Sequence, residues 1–357
     1  MKKIVILLAC LIFINCGSLK KTSLETLQLK FLDEYILPDN IIINETLVGG
    51  LSGIDYHKGI YYLVCDDASN PRYYEATIDI NNNKIKNIVF NNVTKLKDNT
   101  HYLDIEAIRF NVKSNSLFMT SEGSIKQQKD PSFFNVNAKG TINYLEIPNA
   151  LKAGSLQKPR NNGTLEGLCM SFDKKGYWIA MELPLEVDGP EPQLIETKSP
   201  VRLTYMDIQT KKPTKQFAYL LDKIAKKPLD DFAVNGLTDI LEYNTNQFII
   251  IERSYSSGLG KQGNTVKLFK IDASNITNTL TLDNLEEKDY LPAKKTLLFD
   301  FDSVRTNLTD QSIDNIEGIT FGPLLANGNQ TIILVSDNNF NKLGQQMNQF
   351  ILLEVFN

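Results

Sequence analysis

Ile316-Glu317-Gly318-Ile319-Thr320 and, a little further on, Ile332-Ile333-Leu334-Val335-Ser336-Asp337-Asn338-Asn339 are the pair of phrases on which the fold turns. The first recurs at Leu51–Asp55 (LSGID), Ile105–Arg109 (IEAIR), Leu165–Cys169 (LEGLC) and Leu237–Leu241 (LTDIL). The second, an apolar run ending in acids or amides, follows each copy as LVCDDAS, LFMTSEGS, WIAMELPL and FIIIERS. Five copies of one paired signal, spaced roughly 55 to 80 residues apart, form an internal repeat, and a repeat of this kind decides the architecture before any single motif is weighed.

Between the phrases the apolar runs stay short, rich in Ile, Val, Leu, Tyr and Phe, and broken by Asn, Asp, Lys and Gly, the pattern of antiparallel strands. No stretch carries convincing helical periodicity; Phe217 to Lys227 comes nearest and also reads as a strand followed by a loop. A third strand follows each pair: RYYEATIDI from Arg72, INYLEI from Ile142, RLTYMDI from Arg202, VKLFKI from Val266 and QFILLEV from Gln349. Most units add a fourth, as in KIKNIVF, KQFAYLL and KTLLFDF. Repeated units of four strands predict an all-β chain folded as a β-propeller of four-stranded blades. The last unit stops after its third strand, while Leu27 to Leu37 is a strand without a unit, so the N-terminal strand is expected to close the ring. Five blades are expected, with six as the alternative if a degenerate unit hides within 123–160 or 183–235; the propeller domain takes residues 26–357.

The chain has 357 residues, 42% of them hydrophobic and 22% charged, with a net charge of -4 and no basic tract. Nucleic acid is thereby excluded as a partner, since nothing would neutralise a phosphate backbone. Met1-Lys2-Lys3 followed by apolar Ile4 to Ile14 reads as an export signal, too short to span a membrane. It ends in Asn15-Cys16-Gly17-Ser18, which resembles a bacterial lipoprotein signal with Cys16 as the lipidated residue; Cys10 would leave an apolar core of only about six residues. Residues 1–16 are then the signal peptide and 17–25 a short tether. The body is expected outside the cytoplasm, in the periplasm or at the cell surface, as a monomer held to the membrane through its N-terminal lipid. Cys65 and Cys169 lie in apolar runs without CxxC spacing and read as buried free thiols.

In an up-and-down blade the start of the innermost strand and the end of the second meet at one edge, so both phrases should face one rim. Ser52, Glu106, Glu166, Asp239 and Glu317 from the inner strands are expected there with Asp66, Asp67, Glu122, Glu182, Glu252 and Asp337 from the second strands. Long connections at about 123–140, 183–200 and 254–265 would emerge on the same face. A ring of carboxylates repels itself unless a cation or arginines stand among it. Hard oxygen donors, in a chain with only two histidines (His57 and His101), favour Ca²⁺, with Mg²⁺ as the alternative, over Zn²⁺. Arg72, Arg202 and Arg253 fall at corresponding edges, placed to pair with the acids or to bind an anionic substrate. The structural alternative is that each carboxylate hydrogen-bonds the next blade and holds the ring together. Gly50-Leu51-Ser52-Gly53 is not a nucleophile elbow, and no CxxC pair, HExxH or phosphate-cradling glycine loop is present.

Taken together these phrases resemble the phytase-like family, also called the esterase-like activity of phytase family. The match is strongest in NIEGITFGPLLANGNQTIILVSDNNF (Asn315 to Phe340), with LDIEAI, TSEGS, TLEGLCMSFDKKGYWIAMELPL, VRLTYMDI and IIERSYSSG in support. The resemblance implies an exported, often lipid-anchored, propeller-like domain with hydrolase activity on phosphate esters or other esters. Alkaline propeller phytases, similar only in architecture, use carboxylate-held calcium, but their local motifs are absent and no catalytic residue carries over. The resulting expectation is a metal-assisted hydrolase of a small anionic phosphate ester. Glu106, Glu166, Glu317 and Asp337 would hold Ca²⁺, Glu166, Glu317 and Arg253 would act in catalysis, and Arg72, Arg202 and Arg253 would bind substrate. A non-catalytic ligand-binding propeller and a carboxyl-ester hydrolase are the alternatives.

Overall fold

The computed structural model describes residues 27–342 and 344–356. The expected signal peptide, Cys16 and the tether 17–25 lie outside the described residues. β1 (Gln28–Leu37) opens the chain, and a miniature hairpin of β2 (Ile42–Ile43) and β3 (Thr46–Leu47) leads into blade I, made of β4 (Leu51–His57), β5 (Ile60–Cys65), β6 (Arg72–Asn81) and β7 (Lys84–Lys95). Blade II holds β8 (Ile105–Asn111), β9 (Ser116–Ser121), β10 (Ser132–Asn137) and β11 (Ile142–Leu145). Blade III holds β12 (Leu165–Met170), β13 (Gly176–Met181), β14 (Pro200–Asp207) and β15 (Lys212–Leu220), and blade IV β16 (Ala233–Asn244), β17 (Gln247–Ser256), β18 (Asn264–Asp272) and β19 (Lys294–Asp300). Blade V takes β20 (Ile316–Leu324), β21 (Gln330–Ser336) and β22 (Asn348–Phe356), completed by β1. Every pairing within the blades is antiparallel, and among the described residues the helical turns are all short 3₁₀ pieces.

Each phrase begins or lies within the innermost strand of its blade. Those strands pack side by side around an axis in the order β4, β8, β12, β16, β20 and back to β4, so the ring is closed with five blades. β1 zips onto β22 from Gln28↔Phe356 to Leu37↔Asn348, joining the two ends of the described chain. The cores lie between blades, where the faces of neighbouring sheets bury their alternating apolar residues: Leu51, Ile54 and Leu63 of blade I meet Ile333, Val335 and Phe350 of blade V. Trp178 of blade III stands edge-on to Phe248 of blade IV with ring centroids 5.4 Å apart. Cys65 and Cys169 are buried and free, as their apolar setting predicts.

One strand assignment is corrected. The run INYLEI from Ile142 is the outer strand of blade II, and its third strand is Ser132–Asn137, inside the stretch read as a long loop. Ser124 and Lys129 close a tight turn through paired backbone bonds, and the chain re-enters the sheet at once.

Candidate functional site

Every inner strand breaks register just after the first residue of its phrase. Pairing jumps from Leu51 to Gly53, Ile105 to Ala107, Leu165 to Leu168, Leu237 to Ile240 and Ile316 to Gly318. A β-bulge re-aims the side chain it carries, and here the bulge residues are Ser52, Glu106, Glu166, Thr238 and Glu317. The two hydroxyls tie blades together: Ser52 Oγ donates to the Ile105 carbonyl at 2.7 Å and Thr238 Oγ1 to the Ile316 carbonyl at 3.2 Å. The three glutamates instead line a cavity of about 970 Å³ at the mouth of the propeller. One sequence position thus serves as ring tie in two blades and as cavity lining in three.

The second strands add another tier. The first residues of the five phrases pair with Cys65, Ser121, Met181, Glu252 and Ser336, so the next residue along each strand is Asp66, Glu122, Glu182, Arg253 and Asp337. All five line the cavity, and in blade IV an arginine takes the place that the other blades give to an acid. A third tier precedes the phrases: Gly50, Asp104, Thr164, Gly236 and Asn315. Of these, Asp104 and Asn315 line the cavity, whereas at Gly236 an added Cβ would meet Glu182 Cγ at 2.6 Å.

Eight carboxylates from these tiers therefore share the cavity with Arg253. Fully ionised they would set eight negative charges against one positive, which a buried site cannot sustain without protons or a cation. Burial, reinforced by the neighbouring acids, pushes Asp66 up to about 6, Glu122 and Glu182 to about 7 and Asp104 to about 8. Glu106, Glu166, Glu317 and Asp337 are held well above the usual carboxylate range by the same causes. Burial opposes the charge of Arg253, but Glu317, Glu182 and Glu166 more than offset it and raise its pKa. Arg253 lies 3.5 Å from both Glu182 Oε1 and Glu317 Oε1, and its Nε has no hydrogen-bond partner in the protein. Asn315 Nδ2 donates to Glu317 Oε1 at 2.7 Å, while the Thr164 backbone N–H donates to Glu122 Oε1 at 2.8 Å.

Two groups of acids offer one oxygen each within 4.8 Å of one another: Asp104, Glu106 and Glu122, and Glu122, Glu166 and Glu182. Glu122 belongs to both. These all-carboxylate groups could hold a hard divalent cation, and neither contains the imidazole or thiolate that softer metals prefer.

Measured against the sequence expectations, Glu106, Glu166, Glu317, Asp337 and Arg253 do meet in one cavity. Asp104, which pairing with the phrases would have exposed as a tier of its own, was missed. Asp239 and Glu252 are corrected: each stands one residue away from the cavity-facing position and so points elsewhere. Asp239 turns onto the propeller axis, where its Oδ2 accepts from Arg109 at 2.8 Å and from the Ile319 N–H at 3.0 Å. Glu252 reaches between blades, accepting from Tyr219 at 2.5 Å and Asn235 at 2.8 Å and pairing with Lys295. Ser52 is a ring tie, and Asp67 pairs with Arg72 at 3.1 Å. Neither Arg72 nor Arg202 reaches the cavity. Arg72 is spent on Asp67, Tyr74 and the Asn70 carbonyl, and Arg202 grips Asp188 through two bonds of 2.6 and 2.8 Å, with Gln216 at 2.8 Å. Of the long connections, 183–200 contributes Leu183 and Glu191 to the wall, and the connection after β17 contributes Ser257, Gly260 and Lys261.

Among solved structures, a thermostable family-43 glycoside hydrolase is similar over 90% of this chain and 96% of its own, with 8% identity and a TM-score of 0.46. An exo-1,5-α-L-arabinanase from a bovine ruminal metagenomic library matches over 85% and 93%, with 9% identity and a TM-score of 0.43. A luciferin-regenerating enzyme matches over 86% and 78%, with 10% identity and a TM-score of 0.35. No curated protein sequence matches this one. The sequence profile described as "Phytase-like: Esterase-like activity of phytase" matches residues 46–340, the whole ring apart from its closing strands, and the chain belongs to that family.

Proposed function

We propose that the protein is an exported hydrolase of phosphate esters, anchored through a lipid on Cys16, that works with Ca²⁺ or Mg²⁺ at the carboxylate floor. The observation that carries the reading is the pairing of two carboxylate groups sharing Glu122 with a single arginine, Arg253, set in an acid's position beside them. Asp104, Glu106, Glu122, Glu166 and Glu182 would hold the cation, with Glu317 and Asp337 as the further acids grouped around Arg253. A bound divalent cation supplies charge neutralisation of the phosphoryl oxygens and a lowered pKa for bound water.

The chain's own groups do the rest. Arg253, held by Glu182 and lying 3.5 Å from Glu317, offers its guanidinium to a phosphoryl oxygen. Glu166, ionised beside the cation, would accept a proton from the attacking water as its oxygen bonds to phosphorus. Glu317, whose carboxyl is held well above the usual range by burial and by Asp337, would donate a proton to the ester oxygen as the P–O bond breaks. Water and ester thus become phosphate and alcohol with no redox partner. The membrane attachment rests on the N-terminal signal, since no helix of the described residues is long and apolar enough to cross a membrane.

The test is turnover of phosphomonoesters, phosphodiesters and p-nitrophenyl acyl esters by purified protein in CaCl₂, MgCl₂ or EDTA, with Glu166→Gln and Glu317→Gln alongside. Metal-dependent release of phosphate, lost in both variants, is expected. Metal-independent cleavage of acyl esters would favour a carboxyl-ester hydrolase, and no turnover with variants indistinguishable from wild type would leave a binding propeller.

A further inference from the structure

One wall of the cavity differs from the floor. The inner strands of the other four blades begin at their phrases, whereas β16 begins at Ala233, four residues early, and β17 runs on to Ser256. The inner hairpin of blade IV therefore stands above the rim. Its ladder pairs Gly236 with Arg253 and Val234 with Tyr255, and alternation keeps residues two apart on one face. Climbing from Arg253, the cavity-facing positions are Val234 and Tyr255, then Phe232 and Ser257, and all four line the cavity. Phe232 is 56% exposed, its ring centroid 6.2 Å from that of Tyr255. An apolar ladder facing water above a floor of acids has a use only if something apolar comes to cover it.

The charge on the floor argues in the same direction. Besides Arg253 the cavity wall offers Lys261, which is already paired with Asp310 at 2.7 Å. A substrate with several phosphates would place most of its charge against carboxylates.

We infer, resting on the phosphoester reading above, that Val234, Tyr255 and Phe232 form the leaving-group subsite and that the alcohol of the substrate carries a neutral ring with an apolar face. A phosphoryl group on Arg253 projects its ester substituent up the ladder, one strand repeat of ~7 Å bringing it to Val234 and Tyr255 and a second to Phe232. The substrate is a monophosphate of a ring alcohol, because beyond Arg253 and the bound cation the cavity meets further phosphates mainly with acids and the already paired Lys261.

Equilibrium titration with non-hydrolysable probes tests this apart from catalysis. In CaCl₂, benzylphosphonate should bind wild-type protein roughly tenfold more tightly than methylphosphonate, the scale of one aromatic contact with its buried area. Tyr255→Ala should remove most of that ratio and Tyr255→Phe should keep it. Tyr255 is only partly buried, so both variants should fold, which thermal melting would verify. Equal affinity of the two phosphonates for wild type, no binding of either, or a ratio that survives Phe232→Ala combined with Tyr255→Ala would overturn the subsite. Inositol hexakisphosphate binding more tightly than benzylphosphonate would overturn the neutral-ring assignment. Because these probes are not cleaved, absence of ester turnover would refute the hydrolase reading and leave this measurement decisive on its own.

Discussion

Replacing Arg109 by methionine should unlock the propeller at its axis while sparing the carboxylate floor. Arg109 is 3% exposed and donates to the carbonyls of Ile54, Ile108, Ile240 and Ile319 at 2.7 to 3.2 Å, and to Asp239 Oδ2 at 2.8 Å. One side chain thus joins the inner strands of blades I, II, IV and V. Methionine fills similar space but leaves Asp239 buried without its cation. Removing one partner of a buried ion pair costs about 3–5 kcal/mol. Here the lower half of that range applies, because Asp239 keeps the N–H groups of Leu168, Ile240 and Ile319 at 3.1, 2.8 and 3.0 Å. With a chain of this size that corresponds to a fall in melting temperature of roughly 4–6 °C, read by scanning calorimetry. Arg109→Lys should recover only part of it, since one ammonium cannot reach acceptors in so many directions. Stabilisation by Ca²⁺, which the proposed function predicts, should persist in both variants, because neither Arg109 nor Asp239 lines the cavity. A shift under about 2 °C for Arg109→Met would refute the latch, and loss of the Ca²⁺ response in a folded variant would refute the separation of axis from floor.

Two further outcomes follow from the same geometry. In EDTA the melting temperature should fall as pH rises from about 5 to 8: burial and like charge raise Asp66, Glu122, Glu182 and Asp104 to about 6, 7, 7 and 8, so the folded state holds protons that the unfolded chain has already released. CaCl₂ should flatten that slope, and a melting temperature that climbs over this range in EDTA would contradict the charge account. Gly53→Ala should destabilise by about 1–3 kcal/mol or more, through overpacking, because its Cβ would lie 2.6 Å from the Glu106 carbonyl oxygen and 2.8 Å from Ala107 Cα, both backbone; urea unfolding indistinguishable from wild type would show that the inner strands are not in close contact there.

The blades could be read from the sequence because each phrase carries its own turn chemistry and alternation, and the closing strand because Leu27 to Leu37 had no unit to join. The site was only partly legible. A β-bulge shifts side-chain direction by one residue, and the acids of LTDIL and FIIIERS stand one place off the alignment that the other four blades share. Asp239 and Glu252 looked like members of the acid ring, when Thr238 and Arg253 hold the equivalent positions. The interblade register that makes Arg109 the axis latch involves residues up to 210 apart in sequence, out of reach of any local pattern. Arg72 and Arg202 misled for another reason: an arginine at a blade edge satisfies a nearby acid as readily as it faces a cavity, and only packing chooses between them.

The account stands or falls on whether the floor binds a divalent cation through Glu122. Calorimetric titration of Ca²⁺ into the metal-free protein at pH 7.5, in buffers of different ionisation enthalpy, should give saturable binding with release of protons from the raised carboxyls. Glu122→Gln, which removes the acid common to both groups, should weaken it at least tenfold. Saturable binding with proton release, lost in that variant, is the predicted result; no binding, or binding unchanged by Glu122→Gln, would contradict it.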